Sequence, residues 1–332
     1  MASKKVSRSI SVPSKGQAAT ALSALMAVLS MAAVALFLLG LLVTGGQWLV
    51  QGSITSGGDA ASNFEGLLSG SSELYSSGIY PAIIGTTLLT LLMTVLVAPL
   101  GVVVALYMGE YARTAWYVQV LRIAIQNLAA VPSVIYGVFA LGFFVYGVGG
   151  QVDQLFFSAT LPSPRFGKPG LLWAALTMAL LTLPTVIVAT EEGLYRLPRS
   201  LKEGSLALGA TQGETVLKIL LPGAAPSILT GVVLAVARAA GEVAPLMLVG
   251  AIKYAPQLPV GTEAPYLHLD QQFMHLGFVV YDVAMHTPAG PDRIGLIAAV
   301  SLLLVSVVVC LNAAAMLLRS RLRRRFNNQV SE

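Results

Sequence analysis

EEGLYRLPRSLKEGSLALGATQGETVLKILLPGAAPS, residues 191–227, separates two long apolar runs, and its punctuation tells how the chain turns between them. Ser200-Leu-Lys-Glu203 has the spacing of a capping box, in which a serine and a glutamate three residues on satisfy free amides at a helix start. The helix this predicts runs to Leu208 and stops at Gly209, the residue type that best tolerates a left-handed C-terminal conformation. Thr211-Gln-Gly-Glu214 is a second capping box, opening a helix that Pro222 is expected to end. The prediction is two short helices meeting at a glycine corner. Four acids (Glu191, Glu192, Glu203, Glu214) and four bases (Arg196, Arg199, Lys202, Lys218) keep the segment in water. Leu201, Leu206, Leu208 and Ala210 still leave an apolar patch at the corner. Such a patch suits a protein contact, whereas a plain surface connector needs no pair of capped helices.

Outward from this segment the chain is built for lipid. Of 332 residues, 56% are hydrophobic and only 11% charged, against about a quarter charged in an ordinary soluble domain. Crossing a bilayer takes about 20 apolar residues. Stretches that reach this length are 19–44, 79–108, 120–148, 170–190, 225–251 and 294–318. The first follows a basic start, but its apolar run is longer than the core of a signal peptide, so it is read as a retained helix. The expected fold is all-α: a polytopic membrane protein with six transmembrane helices. Its parts are a basic cytoplasmic tail over 1–18, a first transmembrane helix over 19–44 and an external loop over 45–78. A transmembrane core over 79–318 follows, holding the 191–224 cytoplasmic loop and a 252–293 external loop, before a basic tail over 319–332.

Charge placement sets the orientation. With six spans both ends lie on one side. That side would carry Lys4, Lys5, Arg8, Lys15, Arg113, Arg122, Arg196, Arg199, Lys202, Lys218, Arg319, Arg321, Arg323, Arg324 and Arg325. The other would carry Arg165, Lys168, Lys253 and Arg293. Fifteen bases against four put the termini in the cytoplasm. The net charge of +5 therefore reports topology, not a nucleic-acid partner. Residues 45–78 hold Asp59, Glu65 and Glu73 and no base. Cys310, the single cysteine, falls in an apolar stretch and reads as a small core residue. His268, His275 and His286 share the outer segment at spacings of seven and eleven, which fit no common ligand pattern, so no metal is expected. Pro99-Leu100-Gly101, Pro132 and Pro184 inside spans read as packing and bending elements.

Glu203, a glycine six residues on at Gly209, and Ile219-Leu-Leu221-Pro222 after nine intervening residues have the spacing of the EAA loop of ABC-importer permeases. Two small residues, Gly204 and Ser205, stand where that motif has alanines. NLAAVPSVIYGVFALGFFV (127–145), EEGLYRLPRSLKEGSLALGAT (191–211) and LTGVVLAVARAAGEVAPLMLVGA (229–251) together resemble the PstA permeases of phosphate importers. PYLHLDQQFMHLGFVVYDV (265–283) is similar to some members of that family. The resemblance covers roughly residues 75–320 and implies the type I ABC-importer permease fold. It also implies that the cytoplasmic loop, with Glu203, Gly209, Ala210, Thr211, Ile219, Leu221 and Pro222, is the coupling helix that seats in an ATPase subunit. Implied partners are a homologous second permease (PstC-like), a dimeric ATP-binding subunit (PstB-like), an external phosphate-binding protein (PstS-like) and the lipid of a bacterial inner membrane. The sequence holds no G-x-x-x-x-G-K-[ST] phosphate loop. ATP and Mg are therefore expected on the partner ATPase, with no cofactor and no catalytic residue in this chain.

Arg238 and Glu242 interrupt the fifth apolar stretch, where one such group costs roughly 2.5–3.5 kcal/mol. Their i, i+4 spacing puts them on one helix face, but base before acid is the weaker order for mere mutual neutralisation. Intramembrane charges mark translocation paths. Arginine presents a planar fork suited to phosphate oxygens, while glutamate repels the same anion. Arg238 is thus expected to meet the solute and Glu242 to hold Arg238 when the path is empty. Gly241 and Pro245 would let the helix bend. Asn127, Ser133 and Tyr136 in the third span are candidates for polar lining, or equally for interhelical hydrogen bonds. The rival readings are a permease for another oxyanion or small solute, and a stand-alone secondary transporter. The latter should show internal repeats and broken midplane helices, and no clear repeat joins the two halves.

Overall fold

The computed structural model describes residues 15–56, 79–112, 115–158, 162–255, 258–261, 266–286 and 291–330. The chain runs through α1 (Lys15–Ser56), α2 (Tyr80–Leu106), π1 (Tyr107–Tyr111), α3 (Trp116–Ala130), α4 (Ser133–Ala140), π2 (Leu141–Gly149) and α5 (Gly150–Phe156). It continues through α6 (Leu171–Tyr195), α7 (Arg199–Ala207), α8 (Gln212–Thr215), π3 (Val216–Leu220), α9 (Leu221–Gly241), α10 (Leu246–Val249), α11 (Leu276–His286) and α12 (Pro291–Val330). Among the described residues there is no strand beyond the isolated bridges Ala251–Phe273 and Val260–Leu267.

Among the described residues, six helical stretches are long and apolar enough to cross a membrane: Val28–Gln47, Tyr80–Tyr111, Ser133–Phe156, Leu171–Tyr195, Gln212–Gly241 and Arg293–Leu317. Their number agrees with the sequence, but two differ in place. The third does not run through 120–148, because the chain breaks at Val131–Pro132 and leaves α3 as a separate helix. Proline pushes the residue before it out of the helical region, and Val131 is extended at ψ 132°. The fifth begins at Gln212 and stops at Gly241, short of the expected 251. Pro222 does not end the helix that starts at Thr211; it sits in the first turn of α9, where its missing N–H is tolerated. The widened π3 turn just before it eases the clash of its ring with the preceding carbonyl.

α6 is the innermost helix, with 67% of its apolar window buried against 6% for α1. Both are apolar all round, so α6 finds its cover within the chain while α1 is left with an apolar surface suited to lipid. Close approach makes α6 central. A Cβ on Gly101 of α2 would meet Val186 at 2.6 Å, and one on Gly231 of α9 would meet Ala189 at 2.6 Å. Thr86, Thr90, Thr177, Thr182 and Thr190 are buried yet satisfied, each donating to the carbonyl four residues back. The core so formed joins Leu89, Met93 and Val97 of α2, Tyr136 of α4, Met178 and Leu181 of α6, and Ala235 and Ala239 of α9.

After α10 the chain forms a strap across the start of α6. Gly170, Leu171 and Leu172 donate to the carbonyls of Val249, Gln271 and Leu269, all at 2.9 Å, which satisfies amides that a helix start leaves open. Phe273, within this strap, is fully buried, and its amide donates to the Gly250 carbonyl at 3.1 Å. Cys310 does not lie in the core as expected; it is exposed on α12. Lys4, Lys5, Arg8, Arg113, Asp59, Glu65 and Glu73 lie outside the described residues, as do the side chains of Lys15 and of the arginines from Arg319 to Arg325.

Candidate functional site: two helix breaks and an elbow

Arg238 occupies the last turn of α9, where the negative end of the helix dipole favours a cation. Glu242 follows as the C-cap residue with extended backbone (φ −79°, ψ 135°). The two are therefore not on one continuous helix face, contrary to expectation. They still meet, with Arg238 Nε 3.6 Å from Glu242 Oε1. That separation is too long for a hydrogen bond, so the pair is a loose electrostatic contact. The Arg238 side chain is 39% exposed and that of Glu242 21%.

The second break lies beside the first. Tyr136 is buried, and its hydroxyl donates to the carbonyl of Leu128 at 2.5 Å, tying α4 to α3 across Val131–Pro132. One residue on, a Cβ at Gly137 would fall 2.7 Å from Cα of Pro245, so α4 touches the interrupted backbone after α9. Tyr136 also shares a buried core with Ala235 and Ala239, the latter next to Arg238 on α9. Arg238, Glu242 and Tyr136 thus gather at one place. Asn127 does not belong to the third span but is exposed on α3, and Ser133 opens α4 half-buried.

His275 stands nearby, fully buried, accepting from the Gly277 amide through Nδ1. Burial holds its pKa down to about 4, so the ring stays neutral. A Cβ on Gly277 would touch both this ring and Val243, which places His275 beside the α9 break. His286 pairs instead with Asp282 at 3.1 Å, a carboxylate that also takes Lys253 at 2.9 Å.

The segment between α6 and α9 folds into the predicted elbow. The Ser200–Glu203 capping box does not form: α7 starts at Arg199 with Pro198 as its N-cap, and Leu201 already donates to the Pro198 carbonyl. Proline fixes its own φ for a helix entry, which moves Ser200 into the helix and out of capping position. The Thr211–Glu214 box forms in both directions. Gly209 has φ +88°, and the amides of Gly209 and Ala210 donate to Leu206 and Ser205 in a Schellman closure. Glu203, Thr211 and Gly209 are exposed, Ala210, Ile219, Leu221 and Pro222 half-buried. Leu208 projects into the open, 91% exposed, flanked by exposed Leu201 and Leu206. Gly204 has open space where a Cβ would lie, while Ser205 is buried and shares a 2.9 Å hydrogen bond with Thr215.

No local pattern along the chain marks what holds the elbow down. Glu110 of π1 pairs with Lys202 of α7, and its backbone carbonyl accepts from Gln212 Nε2 of α8 at 3.1 Å. Nearby, Arg122 reaches Glu191 at 2.9 Å. Glu110, Lys202, Arg122 and Glu191 wall an open cleft of about 760 Å³ behind the elbow. An acid ending an apolar run is too common a feature to have singled out Glu110.

Residues 98–327 match the model of a family described as binding-protein-dependent transport system inner membrane component. The chain is similar to the "Probable ABC transporter permease protein YqgH" of Bacillus subtilis, 37% identical over 186 residues, 56% of each chain. It is similar to the phosphate transport system permease protein PstA 1 of Mycobacterium tuberculosis, 29% identical over 76% of this chain and 74% of that one. To the PstA of Yersinia pestis it is 36% identical over 51% of this chain and 52% of that one. The match thus spans about half the length of two of these relatives and three quarters of the third. Among solved structures, the inward-facing MetNI methionine ABC transporter aligns with a TM-score of 0.51 at 19% identity, covering 74% of this chain and 94% of that one. A bacterial alginate ABC transporter aligns with a TM-score of 0.58 at 15% identity, covering 92% and 94%. At such identities these two likenesses speak for the fold.

Proposed function

The chain belongs to the family of binding-protein-dependent transport system inner membrane components, as a multi-pass permease subunit of an ABC importer, and we propose that the solute it passes is inorganic phosphate. The observation that carries this is the loosely held guanidinium of Arg238 at the end of α9. The PstA names of several relatives point the same way. Phosphate at neutral pH carries between one and two negative charges, and a guanidinium can present two parallel N–H donors to its oxygens. At 3.6 Å Glu242 engages Arg238 without a hydrogen bond, so an arriving anion has donors to take. Once the anion leaves, Glu242 recaptures the cation, and the site does not become a trap. Arg238 follows Pro222 by sixteen positions, about 24 Å along a helix, so counted from Pro222 the pair would lie toward the outer side of a bilayer core of about 30 Å.

The elbow faces the cytoplasm in this reading, together with both termini, and its exposed leucines dock an ATP-binding subunit that supplies the ATP and Mg chemistry. A related second permease completes the path, and an external phosphate-binding protein delivers the solute. Another oxyanion or small solute is the second reading, since the name of the YqgH relative states no cargo and does not single out phosphate. Broken helices no longer argue for a stand-alone secondary transporter, because they occur here within an importer family. The test is ATP-driven uptake of labelled phosphate by the co-purified, reconstituted complex, with sulfate as competitor. Uptake that needs ATP, resists sulfate and collapses in Arg238→Gln supports the proposal. Undiminished uptake in Arg238→Gln at normal membrane levels removes it.

A further inference from the structure

Glu110 takes no part in the helix breaks, yet it holds both arms of the elbow at once. Its carboxylate pairs with Lys202 on α7 and its carbonyl accepts from Gln212 on α8. The arms are already locked to each other by the buried Ser205–Thr215 hydrogen bond, the Gly209 closure and the Thr211 capping box. The elbow therefore moves as one piece. α7 packs chiefly on α8 and π3, and its leucines face outward, so little else ties it to the membrane helices. The Glu110 side chain is only 12% exposed, where an ion pair is less screened than at an open surface. Glu110 also sits in π1, and the Ala112 amide reaches back to the Tyr107 carbonyl at 3.0 Å in a wide turn of the kind found at functional sites. Upstream, α2 sends Leu89, Met93 and Val97 into the core that contains Tyr136, Ala235 and Ala239, at the helix breaks.

We propose that Glu110 is a positioning residue that transmits motion of the elbow to the second span, and through it to the breaks where the solute passes. This rests on the reading of the elbow as the ATPase contact. The experiment uses the complete transporter in proteoliposomes and measures solute moved per ATP hydrolysed. Glu110→Ala and Lys202→Ala should assemble and hydrolyse ATP, while solute per ATP falls about tenfold, within the range of mutations along coupling networks. The charge-swapped double variant Glu110→Lys with Lys202→Glu should recover most of that loss, which a merely space-filling role would not allow. An unchanged ratio in Glu110→Ala overturns the proposal. So does a swap that assembles but couples no better than the single variants, or one that fails to assemble as they do. Failure of the underlying reading looks different: Leu208→Asp would then leave the ATPase bound.

Discussion

Neutralising Glu242 should tighten solute binding and slow transport. At the observed 3.6 Å, two unit charges attract by about 1.2 kcal/mol in water and about 4.6 kcal/mol at an effective dielectric of 20. With side chains 39% and 21% exposed, solvent screening keeps the true value near the lower end. About 1.4 kcal/mol corresponds to a tenfold competition between the carboxylate and an incoming anion. In Glu242→Gln that competition is gone. KM for phosphate uptake should fall by about tenfold, and kcat should fall with it, because an anion held without a competitor leaves slowly. The assay is initial-rate uptake of labelled phosphate into proteoliposomes at saturating ATP, with matched amounts of complex. An unchanged KM, or a raised KM at constant kcat, would refute the idea that the two side chains compete for one cation.

Leu208→Asp should leave the melting temperature of the purified chain within the change expected of about 0.5 kcal/mol, because that side chain touches almost nothing, while ATPase co-purification drops sharply. Gly209→Ala should cost roughly 1–2 kcal/mol at the positive φ and weaken ATPase retention, with Gly209→Asn milder, both read by pull-down. Gly137→Val should destabilise by about 1–3 kcal/mol, seen as a lower melting temperature, because the added Cβ would lie 2.7 Å from the Pro245 backbone. His275 is held neutral in the fold with a pKa of about 4, so below pH 6.5 the unfolded chain takes up a proton that the folded chain refuses. Stability should fall as pH drops from about 6.5 to about 4, by at most about 3 kcal/mol from this group. Melting curves of His275→Asn in detergent should be flatter than the parent's across that window.

What was legible in the sequence was what depends on neighbours along the chain. The spans follow from apolar length, and the Thr211–Glu214 box and the Gly209 corner follow from local backbone needs. Breaks inside apolar stretches are not legible in this way, because hydropathy averages across them: the apolar run continues straight through Pro132 although the helix stops there. Gly241 and Pro245 point to a bend where the structure has a full interruption, with Gly277 packed against Val243 in a contact that no local pattern announces. Ser200–Glu203 matched a capping pattern but lost to Pro198, two residues earlier, which starts the helix first. Glu110 and Lys202 are 92 residues apart, a pairing that exists only once π1 meets α7.

The most direct measurement is a structure of the assembled importer trapped with phosphate inside its membrane path. The account predicts an anion within hydrogen-bonding distance of the Arg238 guanidinium, with Glu242 moved further from it than 3.6 Å. Phosphate bound elsewhere while Arg238 still rests against Glu242, or a guanidinium turned toward lipid tails, would contradict it.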